Sequence, residues 1–218
     1  MQRIIVIALI LVFLSILPRT ASAGDIDLKV KDVEDGALMP EIYASCKKTA
    51  DGKVVASLNK RPTISWHKPP FVTKSLAIFI SDFDVPADLM KYNIAWKLIP
   101  KDIKANMHYH WALVDIPSVV SEIVGGGSTK VPEVGIQLIR NNGYSMGSLV
   151  NYMGPCPPSN DHRMHHYRIK LYALDIPSLG VSAKTTARAA EEAINSGHHI
   201  LAEDEVIITY SLGDVTKN

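Results

Sequence analysis

The sequence has no surplus of either charge. Lys and Arg number 23 against 22 Asp and Glu, for a net charge of +1 with His neutral. That balance, with no Lys/Arg cluster anywhere, does not suit a nucleic-acid backbone or an anionic membrane surface. Nucleophile signatures are missing as well. Ser81, Ser145 and Ser148 have no strand-turn-helix elbow motif around them. Gly125-Gly126-Gly127 is not followed by Gly-Lys-Ser/Thr, so it is no phosphate loop and reads as a flexible surface loop. Internal repeats, low-complexity tracts and Ser/Gly linkers are absent, which leaves one folded domain. Cysteine is scarce, with two in 218 residues.

Long apolar runs are also few. The longest, Ile4 to Leu17, is interrupted only by Ser15 and covers about 14 residues, short of the roughly 20 a membrane-spanning helix needs. Arg3 precedes it, and Pro18 and Ala21-Ser22-Ala23 follow it. This order of charge, apolar run and small-x-small site is that of a cleavable secretory signal, expected over residues 1–23. Removing those 23 of 218 residues leaves 195, residues 24–218, a length that suits one domain with a sizeable core. The protein is expected to be exported, periplasmic or secreted, with no transmembrane anchor. Outside the cytosol, Cys46 and Cys156 read most simply as a disulfide, with two buried free thiols as the alternative.

The remaining apolar segments are short and bounded by Pro. Pro62 to Trp66, Ser75 to Ser81, Trp111 to Ile116, Tyr167 to Leu174 and Val206 to Tyr210 read as strands. Ala187, Ala190, Ala193 and Ile194 recur at helical spacing, so a helix is expected over Lys184 to Asn195. Ser182 would cap it and Gly197 would stop it. A second short helix is expected around Pro86 to Tyr92. Together these give a mainly β domain of two packed sheets with peripheral helices.

Polar groups gather at the ends of those strands, in Asp82-Phe83-Asp84, His108-Tyr109-His110, Gly154-Pro155-Cys156-Pro157-Pro158 and His162-Arg163-Met164-His165-His166-Tyr167. In a strand His108 and His110 share a face. Two chemistries fit these residue types. Asp82, Asp84, His110 and His165 could serve a metal-dependent hydrolase. Alternatively, imidazole and phenol donors could hold a small oxyanion, with a carboxylate orienting an imidazole. In the second case affinity should fall as pH rises through the imidazole range, and Asp82 should push that midpoint upward.

The runs RPTISWHKPPFVTKSLAIFISDFDVP, HWALVDIP, GPCPP and HHYRIKLYALD resemble, in order and spacing, the phosphatidylethanolamine-binding protein (Raf kinase inhibitor protein) family. The resemblance extends from about Cys46 to Tyr210. It is nearest the bacterial exported branch, whose members also carry one Cys before the first block and one in the Pro-rich turn. It implies a two-sheet β-sandwich that binds a small phosphorylated anion or a phospholipid head group, without enzymatic activity and without a cofactor or metal. Some relatives act on a protein partner as inhibitors. The ligand-binding residues it implies are Asp82, His110, Pro157, His165 and Tyr167. Asp84, Trp66 and Gly154 would brace the pocket. Phe83 stands where the family usually has Pro and should reshape the rim; His166 stands where Arg is commonest. The stretch Ala87 to Tyr109 reads as an insertion covering one side of the pocket.

Overall fold

The computed structural model describes residues 26–88, 93–94, 97–140 and 150–215. The expected signal segment and part of the expected 86–92 helix lie outside the described residues. The chain is mainly β. Strands β1 (Asp27–Val30), β5 (Ile64–His67) and β8 (Glu122–Ile123) form a three-stranded sheet in the order β1-β5-β8. Strands β6 (Ser75–Pro86), β7 (Ala105–Pro117), β10 (Ile136–Gln137), β11 (His165–Leu174) and β12 (Ile200–Tyr210) form a five-stranded sheet in the order β10-β7-β6-β11-β12. Two small ribbons complete it, β2 (Cys46–Lys48) with β3 (Val54–Ala56), and β4 (Lys60–Arg61) with β9 (Gly126–Gly127). Every one of these strand pairings is antiparallel.

The apolar run of β6 has a simple cause: both of its faces are covered. Leu76, Ile78 and Ile80 join the main core between the two sheets, with Leu28, Ile64 and Trp66 opposite and Ile169 and Ile208 beside them. Ala77 and Phe79 point the other way, into a second core under helix α1 (Ala187–Ser196). Strict alternation would mark a half-exposed strand; a run apolar at every position marks one buried on both sides.

Several elements differ from the sequence expectation. Strands β6 and β7 are longer, so Asp82, Asp84, His108 and His110 lie inside strands rather than beyond their ends. Residues 105–109 are therefore part of β7, and the connection between the two strands runs from 87 to 104, closed by the Ala87 N–H donating to the Lys104 carbonyl at 2.9 Å. Gly126 and Gly127 are not a free loop but pair with Arg61 and Lys60. Gly125 is required there because a Cβ would come within 2.6 Å of the Arg61 carbonyl oxygen. Helix α1 starts later than expected, capped by Thr186, whose hydroxyl accepts from the Ala189 N–H at 3.2 Å. Thr186 is held extended opposite Ile139, which donates to the Thr185 carbonyl at 3.1 Å and accepts from Ala187 at 2.7 Å. Ser182 instead closes a turn ahead of the helix, accepting from Thr185 at 2.8 Å. Gly197 ends the helix as expected.

Candidate functional site

A β-bulge brings the site together. Along β6 and β7, Ile80 faces Trp111 but Ser81 faces Tyr109, which leaves His110 as the extra residue. Trp111 belongs to the main core and Tyr109 to the helix-side core. The bulge turns His110 away from the helix side, so that its ring lies 5.1 Å from Tyr167 and 5.2 Å from His108, edge-on to both. Asp82 faces His108 on one neighbouring strand and Tyr167 on the other. His165 stacks on Tyr167 at 6.3 Å. Asp82, His110, His165 and Tyr167 are thus one buried cluster on the central strands.

His165 is the best-held member. Its Nδ1 donates to Asp82 at 2.8 Å and its Nε2 to Asp161 at 3.2 Å. Burial opposes its charge, but the hydrogen bonds to Asp161 and Asp82 outweigh that and raise its pKa to about 9, so it is an imidazolium at neutral pH. Asp161 is fully buried and also grips Arg163, which donates through Nε at 2.9 Å and Nη2 at 2.5 Å. Burial would push both carboxylates up. Arg163 and His165 hold Asp161 well below the ordinary carboxylate range, and His165 and His110 hold Asp82 below it. The result is a chain of alternating charge, Asp82, His165, Asp161 and Arg163, with both His165 nitrogens engaged.

His110 is held differently. Its Nδ1 lies 2.6 Å from the Met153 carbonyl, and the Met153 N–H donates back to the His110 carbonyl at 3.0 Å. A carbonyl only accepts, so Nδ1 carries the proton. Nε2 is buried and has no hydrogen-bond partner among the described residues. Burial lowers the His110 pKa, and Asp82 and the Met153 bond offset this only in part. Asp82 thus pushes both His165 and His110 upward, but at His110 burial is the larger effect. His108 is also driven down, to about 3, by burial and then by the charges of His110 and Arg140. The Tyr167 phenol is pushed well up by burial and then by Asp82, so it stays protonated.

Of the remaining expected residues, Asp84 is bonded directly to the cluster. Asp84 donates its N–H to Asp82 at 2.8 Å, while its carboxylate accepts from the His166 N–H at 2.8 Å and from His166 Nδ1 at 2.9 Å. Gly154 donates to Asn59 Oδ1 at 2.8 Å, and a Cβ there would overlap the Tyr43 carbonyl. Pro157 is buried in the same turn. The turn is tied to the strand region by the Cys46–Cys156 disulfide, with a Cα–Cα distance of 5.2 Å. Trp66 sits fully buried in the main core on β5. Phe83 does not shape the rim. Strand alternation sends it to the helix side, where its ring lies 5.1 Å under the Arg168 guanidinium.

Two residues of the site are absent from the sequence reading. One is Asp161, whose only signal is the polar stretch Ser159-Asn160-Asp161 behind the Pro-rich turn. The other is Arg140, a buried cation close enough to lower the pKa of both His108 and His110. The 87–104 connection is anchored beside Asp161. Asn160 accepts from the Asn93 N–H at 2.8 Å and donates to the Lys97 carbonyl at 2.7 Å. The hydrolase alternative finds no support in this geometry. Among the described residues no three His, Cys, Asp or Glu side chains are arranged to hold a metal ion. His165 has no free nitrogen, and Asp84 is turned to His166.

A buried carboxylate–histidine–tyrosine cluster on the central strands of a mainly β chain, next to a Pro-rich turn, defines the class. The chain belongs to the phosphatidylethanolamine-binding protein family, whose sequence profile matches residues 29–211. It is 31% identical over 192 residues to a UPF0098 protein of Aquifex aeolicus (strain VF5), covering 87% of this chain and 91% of the relative. Over 149 residues it is 28% identical to the UPF0098 protein YbcL of Escherichia coli (strain K12), covering 66% of this chain and 69% of that one. The fold matches the crystal structure of E. coli YbcL, described as a new member of the mammalian PEBP family. The TM-score is 0.64 at 21% identity, over 86% of this chain and 99% of that one. A phosphatidylethanolamine-binding protein homologue of Chlamydia trachomatis gives a TM-score of 0.61 at 23% identity, over 86% and 97%. The disulfide is compatible with an exported protein. Among the described residues no helix is long and apolar enough to cross a membrane.

Proposed function

We propose that this is an exported, non-enzymatic protein that binds a small phosphorylated anion or a phospholipid head group at the Asp82, His110, His165 and Tyr167 cluster. Residues 1–23 act as its signal and residues 24–218 as one binding domain, working on its ligand or, inhibitor-like, on a protein partner. The observation that carries this reading is the buried, unpartnered Nε2 of His110. A buried nitrogen of this kind costs about 1–3 kcal/mol unless something bonds it, and a ligand oxygen meets that need. Arg140 adds a fixed positive charge nearby. His165 serves by orienting Asp82 rather than by reaching the ligand, because both its nitrogens are taken. Pro157 and Gly154 keep the wall of the site rigid and close to the chain behind it.

Titration calorimetry of phosphorylethanolamine against the wild type, His110→Ala and Tyr167→Phe tests this. Tenfold or greater weakening in His110→Ala is the expected result. Equal affinity in all three proteins would remove the site from the account.

A further inference from the structure

The partners of His110 carry one step beyond ligand class, resting on the anion-site reading above. Nδ1 is committed as a donor to the Met153 carbonyl at 2.6 Å. Neutral imidazole then presents only a lone pair at Nε2, and that atom is buried with no partner among the described residues. A phosphomonoester or sulfate dianion brings only acceptor oxygens to the contact. Two acceptors cannot bond each other, so the contact requires a proton between them.

We propose that His110 takes up one proton at Nε2 as the anion binds, so that the site loads an anion and a proton together. The bond formed is Nε2–H, and the proton comes from solvent. No other residue loses one.

The surroundings favour this over a standing charge. The ligand-free cluster is already balanced, with His165 between Asp82 and Asp161 and Arg163 closing the chain. Asp82 on β6 favours a charged His110, whereas Arg140, in the segment after β10, and His165 on β11 disfavour it. His108, its neighbour on β7, is buried and held neutral, and the Tyr167 phenol on β11 stays protonated. Burial tips this balance to neutral imidazole in the empty site. An arriving anion adds a negative charge against Nε2 and reverses the balance. Proton uptake therefore marks an oxyanion at Nε2; a hydroxyl or ammonium donor would bond the neutral ring without it.

The test is calorimetry of the mature protein with phosphorylethanolamine and, separately, sulfate, at pH 7 and pH 8. Each is run in two buffers of different ionisation enthalpy. The expected result is uptake of about one proton per anion for both ligands, with affinity falling about tenfold from pH 7 to pH 8. His110→Asn, which can keep the bond to Met153 but has no Nε2, should lose the uptake. Binding of both anions without proton uptake would overturn the inference and leave the anion site standing. Uptake with phosphorylethanolamine but not sulfate would also overturn it, because the proton would then ride on the ligand. No binding of either anion would overturn the site reading itself, and this inference with it.

Discussion

Asp161 and His165 stand four residues apart outside any helix, and their side chains meet at 3.2 Å in the interior of the protein. With Asp82 on the other ring nitrogen, Asp161 makes His165 a cation at neutral pH and leaves it no free ring nitrogen. The site therefore divides into a locked half, around His165, and an open half, around His110.

The locked half should behave as a buried ion pair. Asp161→Asn keeps the shape but removes the charge that faces Arg163 and His165. Removing one partner of such a pair costs about 3–5 kcal/mol. Urea unfolding of the variant should show a loss of that size. A loss below about 1 kcal/mol would mean that the charges are solvated.

Stability should peak near pH 6.5. His165 is raised from 6.5 to about 9, so its contribution is complete below 6.5 and is lost as pH rises through 9. That loss is worth about 3 kcal/mol. His108 is lowered from 6.5 to about 3, so the unfolded chain binds the proton first and stability falls as pH drops below 6.5. Asp82 and Asp161, both held low, add their loss only below about pH 4. Denaturation midpoints measured from pH 4 to 10 should trace this dome. A flat profile between pH 5 and 9 would contradict both assignments.

The fold was largely legible in the sequence, and the locked half of the site was not. Ser75–Ser81 announces a central strand because a run apolar at every position needs cover on both faces, and Leu76 and Phe79 do occupy opposite cores. The strand ends were misplaced because Asp82, Asp84 and His108 are polar yet remain in the ladder. Polarity marks the end of a strand only when it also marks the end of pairing. Alternation puts His108 and His110 on one face, where their rings meet, but no local pattern encodes the bulge at His110. Arg140 was invisible because it reaches the site by chain return, and Asp161, although four residues before His165, because no regular period marks a contact in an irregular segment. The surroundings of Phe83 follow from the face of the strand it occupies, which its place in the motif does not reveal.

Gly154 should tolerate no side chain. Its neighbour is the backbone carbonyl of Tyr43, which also accepts from the Tyr152 hydroxyl at 2.8 Å and so cannot easily retreat. Gly154→Ala should lower the thermal midpoint by several degrees, as expected for a loss of about 2 kcal/mol in a domain of this size. It should weaken phosphorylethanolamine binding in parallel. An unchanged midpoint would show that the turn can move aside.

The disulfide should matter more to stability than to the site. Cys46 and Cys156 close a separation of 110 residues, for which chain entropy gives about 4–5 kcal/mol. The double substitution Cys46→Ser with Cys156→Ser should therefore destabilise strongly while leaving the His110–Met153 pairing in place. Two alkylatable thiols in the non-reduced mature protein would refute the bridge.

The most direct test of the central claim is the imidazole nitrogen NMR spectrum of the protein at pH 7, before and after phosphorylethanolamine is added. The ligand-free protein should show His110 neutral with the proton on Nδ1, and His165 doubly protonated. On titration the His110 Nε2 resonance should move toward the protonated position while His165 stays fixed. A His110 Nε2 signal that does not respond at saturating ligand would contradict the account.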